Sequence, residues 1–164
     1  MNEISTDINA DTDIPSPKVL IVDDTPENLV ALEVVLEDSD CEVICAGSGN
    51  DALGKLLKSD FALVLLDVQM PIMDGFEVAE LMRANKRTAH VPIIFVTANS
   101  RDDRNVKRGY LSGAVDYLFK PIDPVMLCSK VEFFLQLDRQ KRRLEAKLAR
   151  ARASEKAMND AYGN

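Results

Sequence analysis

Five short apolar runs punctuate this chain, at residues 18–22, 41–46, 61–67, 92–97 and 114–119. Runs of this length, bounded by turn residues, read as strands covered on both faces. Between them the apolar positions change to helical spacing. Leu29, Leu32 and Leu36 fall on one face of a helix reaching to about Asp38. Leu53, Leu56 and Leu57 mark a second helix, and Phe76, Ala79 and Met82 a third, over residues 75–85. A more polar stretch, 101–111, reads as a fourth. Thr25-Pro26 and Asp123-Pro124 each supply a capping residue followed by a proline suited to the first helical turn. Strict strand–helix alternation predicts an α/β fold: a doubly wound five-stranded parallel sheet with helices on both faces.

The last helix has no stop signal until Gly163. It should run about 35 to 40 residues, about 55 Å at 1.5 Å per residue. Leu137, Leu144, Ala151 and Met158 repeat every seven residues, while Lys141 and Glu155 interrupt Leu148 on the neighbouring stripe. A weak parallel coiled coil joining two copies is favoured over a frayed, solvated helix. The chain thus divides into a disordered leader (1–17), a folded body (18–138) and a helical extension (139–164).

Charge sharpens that division. The 164 residues carry −7 overall, but residues 139–164 hold eight basic against three acidic side chains. The acidic body argues against a nucleic-acid surface there; only the basic run 139–152 leaves contact with nucleic acid or anionic lipid open. No helix-turn-helix follows, so no DNA-binding module is expected within the chain. No apolar run has the length of a membrane span and no signal-peptide pattern opens the chain, so an intracellular, cytoplasmic protein is expected. Cys41, Cys45 and Cys128 form no CxxC pair and read as small buried hydrophobes.

Chemistry gathers where the strands end. Asp23 and Asp24 follow the first run, Asp67 ends the third, Thr97 the fourth and Lys120 the fifth. In a parallel sheet those carboxyl ends share one edge, so distant residues converge. Three carboxylates together repel one another unless a hard divalent cation such as Mg²⁺ balances them. An ammonium and a hydroxyl beside such a cation suit a phosphoryl group, with Asp67 as its acceptor.

The chain resembles the receiver domain of two-component response regulators over residues 18–138. Val22-Asp23-Asp24, Leu66-Asp67 with Met70-Pro71 and Asp74-Gly75, Val96-Thr97-Ala98, and Tyr117 with Lys120-Pro121 carry the likeness. The resemblance implies a flavodoxin-like fold with strand order 2-1-3-4-5, and phosphorylation of Asp67 by a partner histidine kinase or phosphotransfer protein. It implies Mg²⁺ held by Asp24, Asp67 and the backbone carbonyl of Gln69, with Asp23 acting mainly through a metal-bound water. Thr97 and Tyr117 would form a switch that reshapes the face of helix 4, strand 5 and helix 5. Ala98 is small, as access to Asp67 requires, and Gln69 and Asn99 would tune hydrolysis. A signalling switch rather than an enzyme is expected, with only slow self-dephosphorylation. A homodimer is expected, and an output module beyond Asn164 is possible on these grounds.

Rivals carry less. Residues 47–52 match GxGxxA after a strand, a dinucleotide-binding pattern, but they follow the second run and leave Asp23, Asp24 and Lys120 unexplained. A small Mg²⁺-dependent phosphotransferase or phosphatase with an aspartyl nucleophile is the enzymatic alternative; Asp23-Asp24-Thr25 lacks the usual two-position spacing of its acids. A structural scaffold is the last. His90, the sole histidine, reads as a surface residue, so a phosphohistidine donor must come from another protein.

Overall fold

In a computed structural model the described residues are 14–98, 103–111, 113–114 and 116–163. The elements are β1 (Lys18–Val22), α1 (Pro26–Val35), β2 (Glu42–Ala46), α2 (Gly49–Lys58), β3 (Leu63–Asp67), α3 (Gly75–Ala84), β4 (Ile93–Thr97), α4 (Asp103–Leu111), β5 (Asp116–Phe119) and α5 (Pro124–Tyr162). The strands form one parallel sheet in the order β2-β1-β3-β4-β5.

Alternate residues of each strand feed opposite faces, as the pleat requires. Leu20, Val22, Val64, Leu66, Ile93, Phe95 and Tyr117 pack on one side, under Ala52 and Leu56 of α2 and Phe76, Ala79 and Met82 of α3. Val19, Ile21, Leu63, Leu65, Ile94, Val96 and Leu118 pack on the other, under Leu32 of α1 with Leu36 just past its end, and Leu127, Val131 and Leu135 of α5. Each buried leucine or phenylalanine contributes on the order of 2 kcal/mol. The sheet is therefore a rigid platform for whatever stands at its carboxyl edge.

Several expectations shift locally. Helix α1 ends at Val35 rather than near Asp38. Its last turn tightens, Glu37 N–H bonding the Val34 carbonyl and Ser39 N–H the Leu36 carbonyl. Thr25 is the N-cap residue, yet its hydroxyl caps nothing; its backbone N–H goes instead to Asp23 Oδ1 at 2.9 Å. Asp123 caps as expected, accepting from Val125 N–H at 2.9 Å. Leu57 lies exposed on α2, whose other two leucines are fully (Leu56) and partly (Leu53) covered. The three cysteines are free and half-buried against the α1–α5 side rather than fully enclosed. The Cys45 thiol donates to Glu33 at 2.6 Å, and burial with that bond pushes its pKa up to about 12.

Of the expected leader, residues 1–13 fall outside the described residues, as do Asn99 and the start of the expected fourth helix at Arg101. Pro17 is buried, and its carbonyl accepts from Glu42 N–H at 2.9 Å. Helix α5 spans 39 residues to Gly163. No described helix is long and apolar enough to cross a membrane.

Candidate functional site at the carboxyl edge of the sheet

Asp23, just past β1, is 1% exposed, and Asp67, the last residue of β3, is 6% exposed. Asp23 Oδ1 accepts the Thr25 backbone N–H, and Oδ2 accepts from Asn28 Nδ2 at 3.1 Å and from Lys120 Nζ at 3.3 Å. Both of its oxygens are therefore engaged by donors. Asp24 stands exposed beside it. One carboxylate oxygen each from Asp23, Asp24 and Asp67 all lie within 4.8 Å of one another.

Lys120 reaches this cluster from the end of β5, where the Lys120–Pro121 peptide bond is cis. Its ammonium lies 3.9 Å from Asp67 Oδ1, farther than from Asp23. The Lys120 backbone N–H bonds the Thr97 carbonyl at 2.9 Å, which ties the ends of β4 and β5 together. Thr97 is buried one register step beyond Asp67, since Asp67 pairs with Val96. Gln69 is exposed, and its backbone N–H bonds the Asp67 carboxylate. Asp24, Asp67, Thr97 and Lys120 thus converge on one edge.

The balance of charge is visible in Asp67. Burial, and then the Asp23 carboxylate, raise its pKa to about 6; Lys120 and the Gln69 N–H oppose this, and Asp24 adds to it. One ammonium does not offset three neighbouring carboxylates, and three carboxylate oxygens within 4.8 Å of one another are donors of the kind a hard divalent cation takes.

Tyr117 sits apart from the acids, on the neighbouring face. Its ring is buried, with centroids 5.4 Å from Phe95, 5.6 Å from Tyr110 and 5.8 Å from Phe119. Burial raises its hydroxyl pKa, and a bond to the backbone at Gly109 partly offsets that. A β-carbon on Gly109 would overlap the Tyr117 hydroxyl, so the glycine makes room for this ring position.

Of four supporting residues, three have no signal in the sequence. Asn28 and Gly109 act across turns or between elements. Gly75 lets α3 start against the Asp67 carbonyl, where any side chain would collide with backbone. Arg83 bonds the carbonyls of Ala89, Val91 and Gly113 at 3.0, 2.8 and 2.6 Å, joining the loops before β4 and β5. Only Gly75, beside Asp74, stood in a recognisable turn. Asp74 also caps α3 by accepting from Glu77 N–H at 2.9 Å.

The GxGxxA stretch proves to be a helix start at the sheet margin. Ser48 caps Asp51 N–H at 3.1 Å, and Gly49 leaves room for Val78 and Met73. It follows β2, the edge strand, away from the acids. His90 is exposed, as expected.

The family profile described as "Response regulator receiver domain" matches residues 19–132. A probable cyclic di-GMP phosphodiesterase of Vibrio cholerae serotype O1 is 39% identical over 79% of this chain, which spans 29% of that protein. Response regulator PleD of Caulobacter vibrioides is 41% identical over 71% of this chain and 25% of its own length. Sensor protein GacS of Pseudomonas syringae is 39% identical over 78% of this chain and 14% of its own length. The chain therefore spans less than a third of these curated relatives. Among solved structures, chemotaxis protein CheY4 of Vibrio cholerae aligns with a TM-score of 0.69 at 31% identity, over 73% of this chain and 99% of that one. A structure described as the BeF3-activated DrrB receiver domain aligns at 0.67 and 30% identity, over 74% and 99%.

Proposed function

The chain belongs to the response regulator receiver domain family, and from that premise we propose that Asp67 accepts a phosphoryl group from the phosphohistidine of a partner histidine kinase or phosphotransfer protein. An Asp67 carboxylate oxygen attacks phosphorus, and the P–N bond breaks with its electron pair left on the donor imidazole. His90 is remote from the acids, so the donor histidine belongs to another protein. Lys120, already 3.9 Å from Asp67, neutralises charge building on the transferred group.

Asp24, Asp67 and the backbone carbonyl of Gln69 would hold Mg²⁺, which supplies the positive charge that the carboxylates and phosphoryl oxygens jointly require. Asp23 suits an indirect role through water, because Thr25, Asn28 and Lys120 already occupy its oxygens. Thr97 would donate its hydroxyl to a phosphoryl oxygen. Several new acceptor contacts can bias a loop between two arrangements, with Tyr117 following Thr97. The readout is the face of α4, β5 and α5, where Tyr110, Leu111, Val125 and Met126 are exposed. From there α5 carries the change to a homodimer or to an output module beyond Asn164. The protein acts as a cytoplasmic switch, with self-dephosphorylation its only turnover.

Convergence of Asp23, Asp24, Asp67 and Lys120 on one edge supports this reading most directly. Thermal unfolding with beryllofluoride and Mg²⁺, a phosphoryl mimic, tests it. Wild type should melt several degrees higher and Asp67→Asn should not respond. Equal shifts in both, or none in wild type, would contradict it.

A further inference from the structure

From the edge of the body outward, α5 exposes a seam of Leu137, Lys141, Leu144, Leu148, Ala151, Glu155, Met158 and Tyr162, spaced alternately by four and three residues. Such a seam needs a facing helix. Its two interruptions have opposite sign and lie two heptads apart. Neither Lys141 nor Glu155 has an ion-pair partner within 4 Å among the described residues, though the Lys141 charge acts on nearby Asp138. Arg139 and Arg142, by contrast, are committed to the body: Arg139 to Asp40 at 3.1 Å, Arg142 to Asp138 at 2.8 Å and to the Pro15 carbonyl at 3.3 Å.

Direction of pairing decides whether those interruptions help or hurt. In a parallel, in-register pair, Lys141 meets Lys141 and Glu155 meets Glu155 across the seam. Lys147 would also flank Arg152 of the other strand, and the basic stretch 139–152 would face itself. Antiparallel pairing removes the Lys141–Lys141 and Glu155–Glu155 contacts and shortens the self-facing basic stretch to residues 147–152. Centred between residues 149 and 150, it sets Leu148 on Ala151, Met158 beside Lys141 and Leu144 beside the stem of Glu155. Lys141 and the other strand's Glu155 are then offset by about 4.5 Å along the axis, within a lysine's reach. Glu145 flanks Arg152 in the same way. Two-fold symmetry makes each pair twice.

We propose that residues 137–162 of α5 pair antiparallel with the same segment of a second copy of this chain, Lys141 opposing Glu155. The body supports this register. Leu137 and Lys141 line a shallow groove with Phe61, Ala62, His90 and Phe134, at the end of the sheet remote from Asp67. Tyr162 of the second copy, otherwise almost fully exposed, reaches that groove. The two bodies stand at opposite ends of the paired helices, and the parallel coiled coil expected from the heptads alone gives way to the signs of its charges. The proposal rests on the preceding reading only in taking α5 as a dimer element.

Sedimentation of the full chain tests it. Wild type should dimerise; Lys141→Glu and Glu155→Lys should each weaken the dimer about tenfold, since each turns two attractive pairs repulsive. The doubly reversed chain should recover most of the affinity. Orientation follows from mild oxidation. A mixture of Lys141→Cys and Met158→Cys chains should form a crosslink between residues 141 and 158. Met158→Cys alone should form none between its own copies, whose 158 positions lie about 25 Å apart along the axis. A monomer at every concentration, a 158–158 crosslink, or no recovery in the doubly reversed chain would overturn the proposal. Beryllofluoride stabilisation of Glu155→Lys, measured alongside, reports separately on Asp67.

Discussion

Asp23 and Lys120 are 97 residues apart in the chain and 3.3 Å apart in the fold. The pair brings the first and last strands of the alternating pattern to one point, and Asp67 of the central strand stands between them in the sheet. Because Asp23 is buried, its charge rests on the donors around it, the Lys120 ammonium together with Thr25 N–H and Asn28.

Lys120→Met should therefore act on both acids. It leaves Asp23 with only the Thr25 and Asn28 donors and removes the cation that holds Asp67 down. Stability should fall by about 1–3 kcal/mol at pH 7, by urea unfolding, and the Asp67 pKa should rise above its present value, by NMR titration.

Asp67→Asn should have the opposite effect on stability. The Asp67 carboxyl is raised from 3.8 to about 6 in the folded protein, so between those values the folded state binds more protons than the unfolded one. Wild type then loses stability as pH rises through that window, by about 3 kcal/mol, because each tenfold difference in proton affinity between the two states is worth about 1.4 kcal/mol. Without divalent cation, Asp67→Asn should equal wild type near pH 4, exceed it at pH 7, and show a flatter profile between. Added Mg²⁺ should close the gap at pH 7.

Much of this edge was readable in the sequence for a simple reason. Asp23, Asp67, Thr97 and Lys120 each terminate an apolar run, and a parallel sheet sends every such terminus to one side. The length of α5 was readable too, since nothing from Pro124 to Tyr162 stops a helix. Contacts set by tertiary packing were not. Asn28 reads as an ordinary helix residue until Asp23 turns towards it, and Gly109 until the Tyr117 ring fills its place. Leu57 follows helical spacing but falls outside the arc that the sheet covers. Helix α1 starts at Pro26 after Thr25, as the sequence implies, but the Asp23 carboxylate takes the Thr25 N–H and the threonine hydroxyl caps nothing.

Gly109→Ala should dislodge Tyr117. The added methyl overlaps the phenol hydroxyl, so the ring must leave its contacts with Phe95 or α4 must shift. Near-UV circular dichroism in the tyrosine region should weaken, stability should drop by about 1–3 kcal/mol, and the beryllofluoride response should diminish while Mg²⁺ binding persists.

Ile72 holds a left-handed backbone, φ 71°, in the loop after β3, and its side chain is 98% exposed. A β-branched residue is strained there and gains nothing from packing. Ile72→Asn should stabilise the chain by about 0.5–1 kcal/mol in urea unfolding, a gain set by backbone fit alone.

Intact-mass analysis after incubation with acetyl phosphate and Mg²⁺, followed by borohydride reduction to mark the modified side chain, bears most directly on the role of Asp67. Wild type should gain one phosphoryl group, located at Asp67, and should gain none when Mg²⁺ is chelated; Asp67→Asn should gain none at all. Equal labelling of the Asn variant, or an unlabelled wild type, would contradict the account.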